Sequence, residues 1–286
     1  MGGDVRDRVG RFGVWHRGAP PVELAQTLER LGYGTLWLGG SPAGDLRAVE
    51  DLLDATTTLT LATGIVNIWN SDPDEVARSF TRITKVHPER FVLGVGVGHR
   101  EATAEYRSPY QSLSAYVDAL LANGVPADSL VLAALGPRVL RLAAERTAGA
   151  HPYLVPPEHT RRAREIVGAR ALLAPEQKAV VGADPARAAE LARNAVAHYL
   201  RLSNYRNSLR RLGWDDADFA DGGSRALLDA LVAQGSADDV AARLREHLDA
   251  GADHVAVHLL TRDGEDPAGM FAALAGALRL RRTDQA

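Results

Sequence analysis

The chain contains no cysteine. That absence excludes disulfides, thiolate nucleophiles, cysteine-type zinc sites and thiolate-bound iron–sulfur clusters, while leaving the cellular compartment formally open. Basic charge is not in surplus: 33 Lys and Arg face 36 Asp and Glu, a formal net charge of -3. A dedicated nucleic-acid binder usually gathers a basic excess on one face, so no nucleic-acid partner is expected. No stretch approaches the ~20 apolar residues of a membrane span. The N-terminal MGGDVRDRVGRFGVW also lacks the apolar core of a signal peptide, so no membrane partner and a cytoplasmic location are expected. Lysine occurs only at Lys85 and Lys178. Neither a G-x-S-x-G elbow, a Walker loop nor an H-E-x-x-H motif is present.

What remains is an ordinary globular composition in 286 residues, long enough for a large core. A half-unit recurs along it: an amphipathic helix, a glycine near its end, then a short apolar strand. Glu23 to Gly40, Arg138 to Val155 and Val240 to Leu260 each show it, with Leu and Ala at three- and four-residue spacing. Near-continuous apolar strands suit a parallel sheet buried on both faces. Eight strands are expected near 10–15, 35–38, 58–66, 91–95, 130–134, 150–154, 177–181 and 254–259. Alternating strand and helix permits a closed barrel or an open doubly wound sheet; about eight strands favour an α/β fold of the (β/α)8 TIM-barrel type. Asp72-Pro73 and Asp184-Pro185 mark helix starts, and Ser236 with Asp239 resembles a capping box. Residues 187–233 break the rhythm with Arg-rich helical sequence. They read as a helical insertion before the last strand, either a lid, an oligomer contact or a plain solvated helix pair. No linker interrupts the chain, so a single domain over 1–286 is expected.

Reactive groups of such a barrel gather at the C-terminal ends of its strands. After the third strand, Gly64 precedes Ile65, Val66 and Asn67, the pattern of an irregular strand end where backbone approaches a flat ligand or simply exits the sheet. After the fourth, Gly94, Gly96 and Gly98 lead through Val97 to His99. G-x-G-x-G is not the dinucleotide fingerprint G-x-G-x-x-G, but a glycine-lined wall ending in histidine suits a planar ring beside a titratable group. A lone histidine there is otherwise a packing residue. Ala133, Ala134, Leu135 and Gly136 open a helix after the fifth strand, and His151, Pro152 and Tyr153 precede another after the sixth. Two neighbouring helix starts suit a phosphate; ordinary capping is the plain alternative. Trp15 and His16 close the first strand, where they can wall a pocket or belong to the core. His254 and His258, four apart, share a strand face; with no third ligand evident, no metal site is expected and a structural or pocket-lining role is preferred.

At these strand ends the sequence resembles the luciferase-like monooxygenase superfamily, and within it the F420-dependent oxidoreductases. The phrases ATGIVNIW, RFVLGVGVGH, AYVDALL, GAHPYLVPPEHT and LLAPEQKAVV carry the likeness, which runs from Arg11 to the last strand. The resemblance implies a barrel that binds the deazaflavin F420, with FMN as the alternative, and transfers a hydride to or from a small organic substrate. It implies a non-proline cis peptide at Gly64–Ile65 backing the ring, with Val66 and Asn67 beside it. The glycines Gly96 and Gly98, with Val97, would face the ring. His99 would be the catalytic proton donor. Ala133, Ala134, Leu135, Gly136, His151, Pro152 and Tyr153 would follow the ribityl-phosphate tail. Trp15, His16, Gly40, Ser41 and His258 would line the substrate pocket, and a homodimer is the family tendency.

One departure matters. Several relatives carry an acidic residue followed by a histidine base after the second strand, where this chain has Gly40 and Ser41. That puts alcohol oxidation by their mechanism in doubt. An FMN-dependent monooxygenase and a non-catalytic flavin-binding or scaffold relative are the competing readings.

Overall fold

A computed structural model of the chain describes residues 3–98, 108–262 and 264–281. The elements run α1 (Val5–Val9), β1 (Phe12–Arg17), α2 (Val22–Leu31), β2 (Thr35–Gly39), α3 (Arg47–Asp54), β3 (Thr60–Thr63), β4 (Val66–Asn67), α4 (Pro73–Val86), β5 (Phe91–Gly96) and α5 (Pro109–Ala122). They continue with β6 (Leu130–Leu132), α6 (Pro137–Arg146), β7 (Gly149–Ala150), α7 (Pro157–Val167), β8 (Leu172–Leu173), β9 (Glu176–Val181), α8 (Pro185–Ala197), α9 (Ser203–Arg210), α10 (Asp216–Phe219) and α11 (Arg225–Leu231). The last are β10 (Val232–Gly235), α12 (Ala237–Asp249), β11 (Val255–Leu259) and α13 (Ala268–Leu278).

All strand pairs are parallel, in the order β10-β9-β11-β1-β2-β3-β5-β6-β7-β8, with β4 also beside β5. The path closes on itself, because its last strand β8 and β9, next to its other end, are halves of one bent strand. Its lower half serves both neighbours. Ala174 N donates to Ala150 O at 2.9 Å, while Leu173 O accepts from Asp253 N at 2.9 Å and Pro175 O from Ala256 N at 2.9 Å. The sheet thus curls into a parallel α/β barrel. β10, which was not foreseen, pairs the upper half of β9.

Two kinds of core follow from two-faced strands. Outward residues such as Leu36, Leu61, Phe91 and Leu93 meet the helix ring. Inward residues Trp15, Trp37, Ala62, Val92, Val131, Leu172 and Ala256 fill the cylinder, and Val5 and Val9 of α1 pack with them. Expected caps are present: Asp72 and Asp184 each accept two first-turn N–H groups, and Ser236 with Asp239 forms a capping box.

The segment 187–233 forms helices α8 to α11 packed in a separate apolar cluster with Leu154, Val180 and Val232. Its turn at Tyr199–Arg201 and α9 bring Tyr199 and Tyr205 against Tyr153 at the barrel end, with ring centroids 5.5 and 6.5 Å away. The insertion therefore covers part of the barrel mouth. Among the described residues no helix is long and apolar enough to cross a membrane.

Candidate active site at the barrel mouth

The Gly64–Ile65 peptide bond is cis, in the break between β3 and β4 where the irregular strand end was expected. Trp15, at the end of β1, donates its indole Nε1–H to Gly64 O at 3.2 Å. The fit is close on both sides of that indole. A Cβ on Gly64 would lie 2.7 Å from Trp15 Nε1, and one on Gly39 would lie 1.8 Å from Trp15 Cζ2. These glycines are therefore required by the ring lying against the backbone.

The β5 glycines pack in the same way. A Cβ on Gly94 would meet Thr63 O at 2.0 Å, and one on Gly96 would meet Ala133 Cβ at 2.8 Å and Ile65 Cδ1 at 3.1 Å. Gly98 has φ +57°, and a Cβ there would stand 2.8 Å from Asn67 Nδ2. These segments are thus in contact, with Val66 and Asn67 paired to Val95 and Gly96. Val66 and Ala134 are buried, whereas Ile65, Val97, Leu135 and Tyr153 are half-buried along the rim. His99 lies outside the described residues.

Gly136 caps α6 and Pro156 caps α7, and neither start has a side-chain cap. Arg211 Nη1 lies 3.7 Å from where a Gly136 Cβ would stand. His159, in the first turn of α7, shares a hydrogen bond of 2.9 Å with Leu135 O. Since a carbonyl only accepts, His159 Nε2 is the donor. Two uncapped helix starts and an arginine make a local field that favours an anion. At the end of β2, Gly40 and Ser41 are exposed and both have positive φ, 79° and 59°. His16, half-buried, shares a 3.0 Å hydrogen bond with Gly18 O.

The densest chemistry joins two residues that the sequence had not singled out, Glu176 and Lys178, to two that it had, Tyr153 and His258. Glu176 and Lys178, two apart on β9, point inward and are fully buried with Nζ 2.8 Å from Oε1. Lys178 also donates to Tyr153 OH at 2.7 Å and lies 3.1 Å from His258 Nδ1. His258 Nδ1 is 3.0 Å from Glu176 Oε1, and Leu154 N donates to Glu176 Oε2 at 3.0 Å. Tyr153 OH and Tyr199 OH are 3.1 Å apart. Burial alone would raise the Glu176 carboxyl, but Lys178 and His258 hold it down to about 2. Burial pushes Lys178 below the usual lysine range, against the pull of Glu176. Burial and Lys178 push His258 down to about 4, so its imidazole is neutral at neutral pH.

His151 and Pro152, expected along a cofactor tail, are both buried. The imidazole of His151 stacks on Trp37 with centroids 4.1 Å apart and planes 6° off parallel. His151 Nδ1 donates to Ala174 O at 2.7 Å, and burial takes the group down to about 4. Its Nε2 has no hydrogen-bond partner among the described residues and faces Gly64, 3.2 Å from where a Cβ would stand. His254, on the same strand face as His258, is at the far end, bonded to Trp37 Nε1 at 3.0 Å and Gly10 O at 2.7 Å. The two histidines thus serve opposite ends of the cylinder. Two cavities lie elsewhere: about 330 Å³ beside the ends of β9 and β11, and about 410 Å³ between α11 and α12.

Residues 17–122 match the family model for luciferase-like monooxygenases. Structural comparison extends the likeness to the whole barrel. The coenzyme F420-dependent tetrahydromethanopterin reductase from Methanopyrus kandleri aligns over 95% of this chain and 99% of its own, at 14% identity and a TM-score of 0.75. The fold is luciferase-like. An F420-dependent secondary alcohol dehydrogenase in complex with an F420-acetone adduct aligns over 94% of this chain and 99% of its own, with 14% identity and a TM-score of 0.73. The FMN-bound oxygenating constituent of 3,6-diketocamphane monooxygenase from Pseudomonas putida aligns over 95% and 97%, with 12% identity and a TM-score of 0.69. No curated protein matches by sequence.

Proposed function

We propose that this luciferase-like chain is an oxidoreductase that binds a flavin-type cofactor, F420 in preference to FMN, and transfers a hydride between it and a small organic substrate. The observation that carries the reading is the half-buried strip of Ile65, Val97, Leu135 and Tyr153 at the break between β3 and β4, where Trp15 lies against Gly64 and bonds its carbonyl. A flat apolar rim joined to two uncapped helix starts fits a planar ring with an anionic tail. Ile65, Val97 and Gly98 would back the ring, while Gly136, the first turn of α6 and Arg211 would hold the tail. When bound, the cofactor supplies the two-electron hydride chemistry that no side chain of the chain provides. The chain's own part is to seat the ring, exclude water through the helices carrying Tyr199 and Tyr205, and provide proton-handling groups. The preference for F420 rests on the sequence phrases and on two F420-dependent enzymes among the structural neighbours.

The test is an equilibrium titration of the purified protein with F420 and, separately, with FMN, followed by ligand fluorescence. Saturable F420 binding with no FMN binding supports the proposal. FMN binding alone makes the chain a monooxygenase component of the other type, and binding of neither makes it a non-catalytic relative.

A further inference from the structure

His258 is held in a way that a merely packed histidine is not. Its ring lies against Trp15, with centroids 4.3 Å apart, and Trp15 is itself bonded to the carbonyl of the cis peptide. One indole therefore separates His258 from the proposed ring wall. The ring presents Nδ1 to the buried ion pair, 3.1 Å from Lys178 Nζ and 3.0 Å from Glu176 Oε1. The opposite edge is different: Nε2 has no hydrogen-bond partner among the described residues, and the side chain keeps 18% of its surface exposed.

An ammonium only donates and a carboxylate only accepts. With Nδ1 bare, Lys178 donates to it; with Nδ1 protonated, it donates to Glu176. Both neutral tautomers of His258 therefore find a partner inside the barrel, and neither leaves a buried group orphaned. A histidine needed only for packing requires one partner at Nδ1. Two partners of opposite character suit a group whose Nε2 must be an N–H at one moment and a lone pair at the next.

We propose that His258 is the proton-exchanging residue of the mouth, with Lys178 and Glu176 as the positioning pair that serves Nδ1 in its two states. The inference rests on the proposed hydride-transfer reading for its substrate, an organic molecule whose carbonyl or imine atom becomes anionic on taking up the hydride. In that direction the His258 Nε2–H bond breaks and its proton joins the anionic atom. Nδ1 takes a proton from Lys178, which is left as a neutral amine hydrogen-bonded within the Glu176 and Tyr153 cluster. His258 is neutral before and after. Run backwards, a substrate O–H or N–H gives its proton to Nε2 while Nδ1–H returns one to Lys178. The titratable groups facing His258 are His16 from β1, Tyr153 after β7, and Glu176 and Lys178 from β9, while the Arg17 charge of β1 acts on Lys178.

The test is the tautomer of His258 in ¹⁵N-labelled whole protein, read from long-range ¹H–¹⁵N spectra between pH 6 and 8 and assigned with His258→Gln. No flavin is needed, so failure of cofactor binding and failure of this inference are separate results. The wild type is expected to show both nitrogens with shifts averaged between bare and protonated values. Lys178→Met removes the donor to a bare Nδ1 and shifts the population toward Nδ1–H. A single fixed tautomer in the wild type overturns the inference, and that arm stands even where a variant fails to fold. A folded Lys178→Met variant that keeps the wild-type population also overturns it. With a substrate that turns over, His258→Ala lowers kcat at least tenfold and removes an ionisation from the pH profile; an unchanged kcat refutes the role.

Discussion

Glu176→Gln is the sharpest single perturbation of the barrel mouth. The substitution keeps the shape of a side chain that is fully buried. It removes the only carboxylate within 3.0 Å of the Lys178 ammonium, among the described residues, and leaves a buried cation without a counter-charge. Breaking a buried pair from one side typically costs about 3–5 kcal/mol. An independent bound comes from letting Lys178 lose its proton instead. At pH 7, neutralising a lysine of ordinary pKa ~10.4 costs about 1.36 × (10.4 − 7), or ~4.6 kcal/mol. The two figures agree, and against a total stability of ~5–15 kcal/mol they are large. At ~2–4 °C per kcal/mol for domains approaching this size, Tm falls by about 6–20 °C.

The pH dependence gives the sign. The unfolded variant keeps Lys178 protonated up to ~10.4 while the folded variant has it neutral, so the unfolded state binds more protons and stability rises with pH. The same neutralisation at pH 9 costs only about 1.9 kcal/mol. The assay is thermal and urea unfolding of wild type and variant at pH 7 and pH 9. A Tm loss under about 3 °C, or a deficit that grows at pH 9, refutes the account of the ion pair. Replacing both residues, Glu176→Leu with Lys178→Met, is expected to recover most of the loss, because two apolar groups leave no charge to compensate.

Acid should unfold the protein through its histidines. Burial holds His151, His254 and His258 down to about 4 and His247 to about 3, against ~6.5 when unfolded. The unfolded chain therefore binds more protons between those values, and stability falls as pH drops through that window. A Tm profile flat above pH 7 and steep below 6.5 is expected; a profile flat to pH 4 contradicts the burial. Glu176, depressed to about 2, adds a further loss below pH ~4.3. Gly39→Ala forces a methyl to within 1.8 Å of Trp15 Cζ2 and must displace the indole. We expect about 1–3 kcal/mol of lost stability, a changed near-ultraviolet circular dichroism band, and at least tenfold weaker flavin binding; unaltered binding removes Trp15 from the site. Arg211→Ala is expected to weaken flavin binding about tenfold or more, the worth of a charged hydrogen bond, with stability within ~0.5 kcal/mol of wild type. Equal affinity would place the anionic tail elsewhere.

Much of the architecture was legible because glycine and proline punctuate it. Asp-Pro pairs mark helix starts, terminal glycines mark their ends, and apolar runs mark buried parallel strands. β10 escaped notice because VAQG carries half a strand's signal and follows a helix directly. The bend at Ala174–Pro175 hid the lower half of the seventh barrel strand for a similar reason, two short pieces standing where one was sought. At the site, the cis peptide was legible only through resemblance, since nothing in the spacing of Gly64 and Ile65 dictates it. The ion pair had a physical signal that went unread. Lys178 is one of two lysines, set in an apolar strand two residues from Glu176, a spacing that puts both on one face. Tyr199 and Tyr205 could not be placed from sequence, because the insertion that carries them folds back by tertiary packing alone.

The central claim is that a planar redox ring rests on the Gly64–Ile65 peptide at the barrel mouth. A crystal structure of the protein grown with F420 tests it most directly. The account predicts ring density against Ile65, Val97 and Trp15, with the tail running to Gly136 and Arg211. F420 seated at another face of the barrel, or a mouth that stays empty at saturating F420, would contradict it.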